Sequence, residues 1–503
     1  MDRYDIIISG CGPVGATMAV LLGQHGVRTL VLEKYAEPYD KPRAIVLDWE
    51  VMRVFQFCGI TDELAPSTAP HTGTDFVGMD GQIIKQFDPL PPPYPLGWPA
   101  TLMFIQPDLE RILRDKITSM DTVDLETGTR FDTFVQDADG VTVTYTDLTD
   151  SQASTVKGAY LIGCDGANSA VRDACSIDLI DYQFDEWWIV VDAWQQRYTD
   201  LPAKTTQYCW PSRPATYVVG PQNLRRWEIK MMPGERPEDF EDSAKLREVM
   251  SNYVDVDAFD IWRSATYRFN ARVGAKWRKD RVFLAGDAMH QMPPFLGQGL
   301  CAGIRDVANL SWKLIHAIKH GYNDALLDTY EAERLPHVGK IIEHAKEFGL
   351  IIGELDEVKA CARDKDLRAQ LLSGKMGTSR QGFIPDLTSG ILAKNDPLAG
   401  TLMVQPKLPD GALLDDRAPM AFLYLALDDT AQTWADACAS DLSRLGVVRM
   451  TITEELGDTL HTWGMAHGLR AVLIRPDRYV WGGVTSADDL HQKLTTLQKQ
   501  LEG

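Results

Sequence analysis

The first apolar and polar blocks of the chain read as strand, helix, strand. Ile6–Ser9 is a continuous apolar run, the pattern of a strand covered on both faces; a glycine turn and a helical pattern through about His25 follow. Thr29–Leu32 is a second such run and stops at Glu33. From about 65 to 100 the periodicity is lost, Pro and Gly accumulate (Pro91-Pro92-Pro93), and the stretch reads as an extended excursion out of the first unit. Helical spacing resumes over Phe104–Lys116, and Val141–Tyr145 and Tyr160–Ile162 read as strands. Between about Ile180 and Arg268 the pattern is mostly β (Trp187–Ala193, Thr216–Val219, Trp227–Met232, Ile261–Phe269), which predicts a second, antiparallel layer. An apolar strand at Val282 and a helix over Ile304–His320 return to the first layer. Residues 325–395 are helical and charged, and the Lys/Glu-rich part from 338 to 370 is expected to face solvent. Ala421–Leu427, Val447–Ile452, Ala471–Ile474 and Tyr479–Trp481 then read as strands of a small α/β unit.

At 503 residues the chain is long enough for two or three domains with substantial cores, and 45% hydrophobic content is ordinary for a globular protein. A net charge of −20 argues against nucleic acid and anionic membranes as partners, since both require clustered Lys and Arg. The eight cysteines are scattered with no C-x-x-C and no Cys/His metal spacing, so buried free thiols and no metal site are expected. A strand begins at Tyr4, which leaves no room for a signal peptide, and no apolar run approaches the roughly 20 residues of a membrane helix. A cytoplasmic location is the expectation.

Two glycine-rich segments carry the chemistry. Gly10, Gly12 and Gly15, with Pro13 between them, sit between strand and helix, where such residues give a tight turn and let a pyrophosphate approach the backbone. Glu33, ending the second strand, can accept hydrogen bonds from ribose hydroxyls. Far downstream, Arg281–Leu300 reads as a buried strand, a Gly286-Asp287 turn, and a Pro-Pro/Gly-x-Gly loop feeding a helix. A carboxylate at a strand end, followed by glycines that expose backbone N–H groups, suits the polar edge of a cofactor. Three further segments, Lys41-Pro42-Arg43, Gln106 at a helix start, and Cys164-Asp165-Gly166, favour FAD over NAD as the resident dinucleotide.

This ordered set resembles the class A flavoprotein aromatic hydroxylases over about residues 1–345. The run Pro293–Leu314, with Arg225–Glu235 and Tyr330–His337, is most similar to their 3-(3-hydroxyphenyl)propionate hydroxylase group. The resemblance implies a Rossmann-like α/β FAD-binding domain with an inserted antiparallel β-sheet substrate domain and a C-terminal thioredoxin-like domain. The expected boundaries are 1–180 and 271–345 for the FAD domain, 181–270 for the substrate sheet, 346–399 for a helical connection, and 400–503 for the last domain. That last domain would be redox-inactive, because Cys438 is its only cysteine. Residue by residue, Glu33 would bind the adenosine ribose, and Arg43 and Gln106 would contact FAD. Asp165 would hold its turn beside the pyrophosphate. Asp287, after Gly286, would bind the ribityl chain. Gly299 and Leu300, beyond Gly297, would present N–H groups to the flavin edge, where a helix N-terminus favours negative charge.

The implied activity is insertion of one atom of O2 into a phenolic or hydroxylated heteroaromatic ring, ortho to its hydroxyl, with NADH or NADPH as transient reductant. A 3-(3-hydroxyphenyl)propionate-like acid is the leading substrate. A bulkier uncharged phenol, a quinolone, or a flavoprotein that does not hydroxylate are the alternatives. A homodimer is the assembly considered. Pro294, rigid and lacking an N–H, could wall the ring and leave its carbonyl as an acceptor. His290, which suits a structural hydrogen-bonder of the Gly-Asp loop better than a general base, and a pocket-facing Asp48 are the other catalytic candidates. Trp187, Trp188, Trp194 and Trp210 suit core packing as well as ring stacking, and Arg213, Arg225 and Arg226 suit strand ends as well as a substrate carboxylate. A halogenase would need a Trp-x-Trp-x-Ile-Pro motif and a hydrolase a G-x-S-x-G elbow; neither is present.

Overall fold

The structure, a computed structural model, describes residues 3–374, 379–408, 410–451 and 457–502. Its centre is a sheet in which five strands run parallel in the order Val282–Leu284, Ala153–Gly163, Arg3–Ser9, Thr29–Glu33, Val123–Thr127. Four of these, all but Val123–Thr127, were legible in the sequence, because a parallel strand covered on both faces needs no polar alternation. The helix Pro13–Gln24 packs on this sheet and on the helix Gly299–His320, so the two glycine-rich segments meet although 270 residues separate them. Helix Gln106–Thr118 begins at Gln106; Phe104 closes the strand Thr101–Phe104 instead.

A second eight-stranded sheet lies over this layer, with its Phe259–Gly274, Leu179–Gln195, Leu224–Lys230 and Ala215–Val219 strands antiparallel as expected. The excursion is the main departure from the sequence reading. Thr74–Val77 and Ile83–Phe87 are strands that extend this sheet, and the first pairs in parallel with Thr205–Tyr208. His290–Gln291 adds the opposite edge. The Pro and Gly content around this hairpin masked its four- and five-residue strands, and the pairing that joins the hairpin to the sheet is with a strand more than 100 residues away.

The Asp324–Ile352 helix also departs from expectation. Val338, Ile341, Ile342, Ala345, Phe348 and Ile352 are core residues, so that part of the charged stretch is half buried. The Glu357–Leu372 helix behaves as predicted, burying only Ala360 and Asp364. In the C-terminal region four strands stand in the order Val448–Thr451, Leu423–Ala426, Ala471–Ile474, Val480–Val484, the first two parallel and the others antiparallel. Ile452, the expected end of one strand, lies outside the described residues. All eight cysteines are free, and Cys361 is exposed rather than buried. Among the described residues no helix is long and apolar enough to cross a membrane.

A fully buried ion cluster joins this last unit to the core. Glu333 accepts hydrogen bonds from Arg475 (2.7 Å), Lys313 (2.9 Å) and Asn309 (2.6 Å). Burial alone would raise its carboxyl, but the two cations bring it down to about 2. Removing one member of a buried pair leaves the rest uncompensated, so Glu333→Gln should cost about 3–5 kcal/mol, read by thermal unfolding. The sign with pH is fixed: a depressed carboxyl stabilises above its ordinary value of 4.5, and that contribution is lost as pH falls toward 2. The difference between wild type and Glu333→Gln should therefore shrink in acid; an unchanged difference would contradict the assignment.

Candidate functional site

The first glycine turn is closed on one side and open on the other. Gly10 has φ +100, and a Cβ there would lie 2.5 Å from the Cys164 carbonyl oxygen; a Cβ on Gly15 would lie 2.0 Å from the Gly10 oxygen. Those two glycines let backbone pack on backbone. A Cβ on Gly12 would meet nothing within 4 Å. Gly12 caps the Pro13–Gln24 helix, with Pro13 in its first turn, and no side chain caps that N-terminus. Its free N–H groups and dipole face open space, which fits a diphosphate. Glu33 is buried at the end of its strand and accepts from the Cys11 N–H (2.7 Å) and the Tyr35 N–H (2.8 Å), which fixes it beside this turn. Asp165 accepts from the Ser169 hydroxyl and the Val171 N–H (3.1 Å), so its carboxylate shapes the loop that flanks Gly10.

The second segment meets the first at Val14, whose side chain lies 3.1 Å from the position of a Cβ on Gly286 (φ +62). Asp287 projects from this turn into the cleft. It is exposed, yet the surrounding protein raises its carboxyl by burial against the opposing pull of His290 and Arg43. A place in a cleft wall reconciles the two: one face open, the rest enclosed. It receives no hydrogen bond from the described residues, so its oxygens are free for the hydroxyls of a ribityl chain. Among the described residues Arg43 likewise has no acidic partner within ion-pair distance, and its guanidinium lies over Tyr39, 4.8 Å from the ring centre. Beyond a left-handed Gly297 (φ +60), the Gly299–His320 helix begins with no side-chain cap, leaving the N–H groups of Gly299 and Leu300 available. The residues present thus fit FAD at both ends.

Several expected residues act one step back from the cleft. Gln106 accepts from the N–H groups of Arg43 (3.1 Å) and Ala44 (2.5 Å) and donates to Glu110 (2.7 Å), so it positions the Arg43 loop. His290 is almost fully buried, with Nε2 2.7 Å from Asp306. Asp306 also accepts from the Gly286 N–H (3.0 Å) and from Arg334 (2.9 Å), holding the Gly-Asp turn from beneath. Burial would raise the Asp306 carboxyl, but His290, Arg334 and these hydrogen bonds bring it below its ordinary range. This geometry makes His290 a positioning residue rather than a base in the cleft. Asp48 is buried too and does not face a pocket: it caps the Trp49–Cys58 helix through the Val51 N–H (3.1 Å), accepts from Gln298 (3.1 Å), and pairs with Arg305. The Pro294 carbonyl accepts from the Gly297 N–H at 2.7 Å, so it closes the turn instead of standing free.

The second sheet roofs the cleft. Trp188 is fully buried, its ring 5.0 Å from Phe295 and 6.0 Å from Phe269, and seals the site beside the Pro294 turn. Trp187 is exposed, Trp194 packs on Trp262, and Trp210 stacks on Tyr253. Each arginine considered for a substrate carboxylate is engaged within the protein: Arg213 with Glu235, Arg226 with Asp192, and Arg225 with the carbonyls of Gln222 and Leu224. Sequence reasoning missed Asp306, Arg305, Gln298 and Glu228. The first three stand inside or beside the quoted Pro293–Leu314 motif, and only their partners reveal what they do. A cavity of about 440 Å³, open to solvent, is lined by Glu50, Arg53, Phe57, Arg305 and Tyr479, where the C-terminal unit meets the core.

Comparison with known proteins agrees with this geometry. Residues 3–345 match the FAD binding domain family. The chain is 34% identical to a probable NADH-specific resorcinol 4-hydroxylase of Rhodococcus jostii, over 97% of this chain and 93% of that one. It is also 34% identical to a 3-(3-hydroxy-phenyl)propionate/3-hydroxycinnamic acid hydroxylase of Comamonas testosteroni, over 95% and 94%. Among solved structures, the flavin-dependent monooxygenase PieE in complex with FAD and substrate shares the fold, with TM-score 0.85, 22% identity and 99% coverage of each chain. The aromatic-hydroxylase names of the relatives, the matched cofactor domain and a cleft whose free groups suit FAD lead to one statement: the chain belongs to the class A flavoprotein aromatic hydroxylases, with FAD as cofactor and a nicotinamide nucleotide as reductant.

Proposed function

We propose that this enzyme hydroxylates a small uncharged phenol of the resorcinol type, ortho to a ring hydroxyl, with NADH as reductant. The observation that carries the substrate assignment is the internal pairing of Arg213, Arg225 and Arg226, which leaves none of them for a substrate carboxylate. The activities for which the relatives are named bracket the choice between resorcinol and 3-(3-hydroxyphenyl)propionate. When bound, reduced FAD supplies the activated oxygen atom. The chain's own residues do the rest. The Gly12 N-terminus and Glu33 hold the dinucleotide, Asp287 orients the ribityl chain, and the Gly299 and Leu300 N–H groups stabilise negative charge at the flavin edge. Trp188, Phe269 and Phe295 exclude water from the ring that reacts.

A phenylpropionate is the second reading, and Lys85 favours it. This residue is 8% exposed, lies over the rings of Phe87 (5.0 Å) and Phe348 (5.8 Å), and has no acidic partner among the described residues; burial lowers its pKa. A substrate carboxylate would complete it. The test is NADH and NADPH oxidation scored against hydroxylated product, with labelled O2, for resorcinol, 3-(3-hydroxyphenyl)propionate and a quinolone. Labelled product from resorcinol matching the NADH consumed is expected, with uncoupled oxidation for the acid. Product from the acid alone would transfer the assignment to the second reading, and Lys85→Met should then raise KM for the acid at least tenfold, in line with losing a charge-assisted contact. We also propose the division into 1–180 with 271–345, 181–270, 346–399 and 400–503. The thioredoxin-like reading of the last part is supported by its strand order and its β-α-α-β-α-β-β-α sequence.

A further inference from the structure

We propose that Glu228 accepts the proton of the substrate's ring hydroxyl, which makes it the catalytic base that the sequence motifs did not reveal. The inference rests on the phenolic substrate proposed above. Glu228 belongs to the Leu224–Lys230 strand, near the middle of the second sheet. Alternate residues of a strand share a face, so Arg226, Glu228 and Lys230 point the same way at intervals of about 7 Å. Arg226 shows which way that is: it donates to the carbonyls of Arg43 (2.8 Å) and Pro42 (3.3 Å), in the loop beside the cofactor cradle. At the other end Lys230 pairs across strands with Trp188, whose ring packs on Phe295. Glu228 therefore faces the gap between the Arg43 loop and the Pro294–Phe295 turn, the space that the proposed substrate ring would occupy.

Its environment is unusual for a structural carboxylate. Glu228 is 5% exposed, and neither oxygen accepts a hydrogen bond from the described residues. The nearest cation, the Arg226 guanidinium, is 3.9 Å away and is already committed to Asp192 (2.7 and 3.2 Å) and to the loop carbonyls. A buried carboxylate without hydrogen bonds is costly, and a donor that arrives with the substrate removes the cost. The other charged groups around it are Lys230 on its own strand, held by Glu186 and the Gly353 carbonyl; Asp192 and Glu186 on the neighbouring strand; and Arg263 beyond. Burial pushes the Glu228 carboxyl up to about 7, with Arg226 lowering it and Asp192 raising it. A base poised there is half ionised at neutral pH, the condition in which general base catalysis is efficient. In the step itself the substrate O–H bond breaks, the proton passes to a Glu228 oxygen, and the electron pair stays on the phenolate oxygen. No oxidation is involved.

The test uses the FAD-loaded enzyme, with resorcinol as probe. Binding, followed by the change in flavin absorbance without NADH, should tighten about tenfold from pH 6 to pH 8 in the wild type, as the carboxylate fraction rises from roughly 9% to 91%. In Glu228→Gln that dependence should vanish. Coupled kcat at pH 7 should fall by at least about a hundredfold with KM changed far less, and Glu228→Asp should recover part of kcat. A flat wild-type binding curve overturns the proposal without reference to any variant. So does a Glu228→Gln enzyme with wild-type coupling and pH profile. If the wild type forms no product from any phenol, the substrate reading fails and this proposal fails with it; product formation that is indifferent to Glu228 rejects the base alone.

Discussion

Gly12→Val is expected to fold and to purify without its yellow colour. The expectation comes from an asymmetry among three glycines only a few residues apart. A side chain on Gly10 or Gly15 would collide with backbone oxygen at 2.5 or 2.0 Å, so substitution there damages the turn itself. At Gly12 the backbone is extended (φ −68, ψ −179), a conformation any residue adopts, and a Cβ meets no protein atom within 4 Å. The space a valine would fill is the space above the uncapped helix N-terminus, where the diphosphate must approach the N–H groups. The variant should match the unfolding temperature of flavin-stripped wild type rather than of the loaded enzyme, because ligand binding itself adds stability. FAD affinity should drop by at least about a hundredfold, roughly 2.7 kcal/mol, and hydroxylation with it. Flavin absorbance per protein at the wild-type ratio would contradict this use of the N-terminus.

The sequence revealed this end of the site because its logic is local. A buried strand, three glycines and an acid about twenty residues on all fall within one β-α-β unit, where periodicity and turn chemistry operate together. The other end was legible as a motif but not as a mechanism. His290 follows Asp287 by three residues and looks like a cleft histidine, until Asp306, a full helical segment later, takes up its Nε2. Asp48 looked available because its partner Arg305 is 257 residues away. The strands Thr74–Val77 and Ile83–Phe87 escape for a related reason: the first takes its place in the sheet from Thr205–Tyr208, the second pairs only with the first, and nothing in a Pro-rich stretch announces that long-range pairing. Glu228 falls inside the Arg225–Glu235 motif, but only the sheet register shows that it shares a face with Arg226 and lies opposite Val190. Roles assigned by long-range pairing are invisible to periodicity; roles assigned by backbone conformation are not.

Arg305→Met should be the most damaging single change away from the cofactor. The Arg305 side chain is buried where three parts of the protein meet. It donates to Gln298 at 2.9 Å, just ahead of the flavin-edge N–H groups, and pairs with Asp48 and Glu50 at the start of the Trp49–Cys58 helix. Glu50 in turn accepts from the Tyr479 hydroxyl (2.6 Å) of the C-terminal unit. Burial by itself would lower the pKa of Arg305, and the two carboxylates more than offset it, so the cation is strongly held. Methionine fills most of the volume but leaves two buried carboxylates facing each other. Removing the cation should cost about 3–5 kcal/mol and loosen the Gln298 turn, so FAD should be released as free, fluorescent flavin during mild heating. Two further sets of substitutions separate charge from shape. Arg305→Lys should fall between, since an ammonium keeps the charge but cannot reach Gln298, Asp48 and Glu50 together in the planar fork. Asp48→Asn with Glu50→Gln in the Met background should restore much of the stability if uncompensated charge is the cause. Should that triple variant stay as unstable as Arg305→Met, the cause is the lost bridge to Gln298, and flavin retention rather than unfolding temperature would carry the defect.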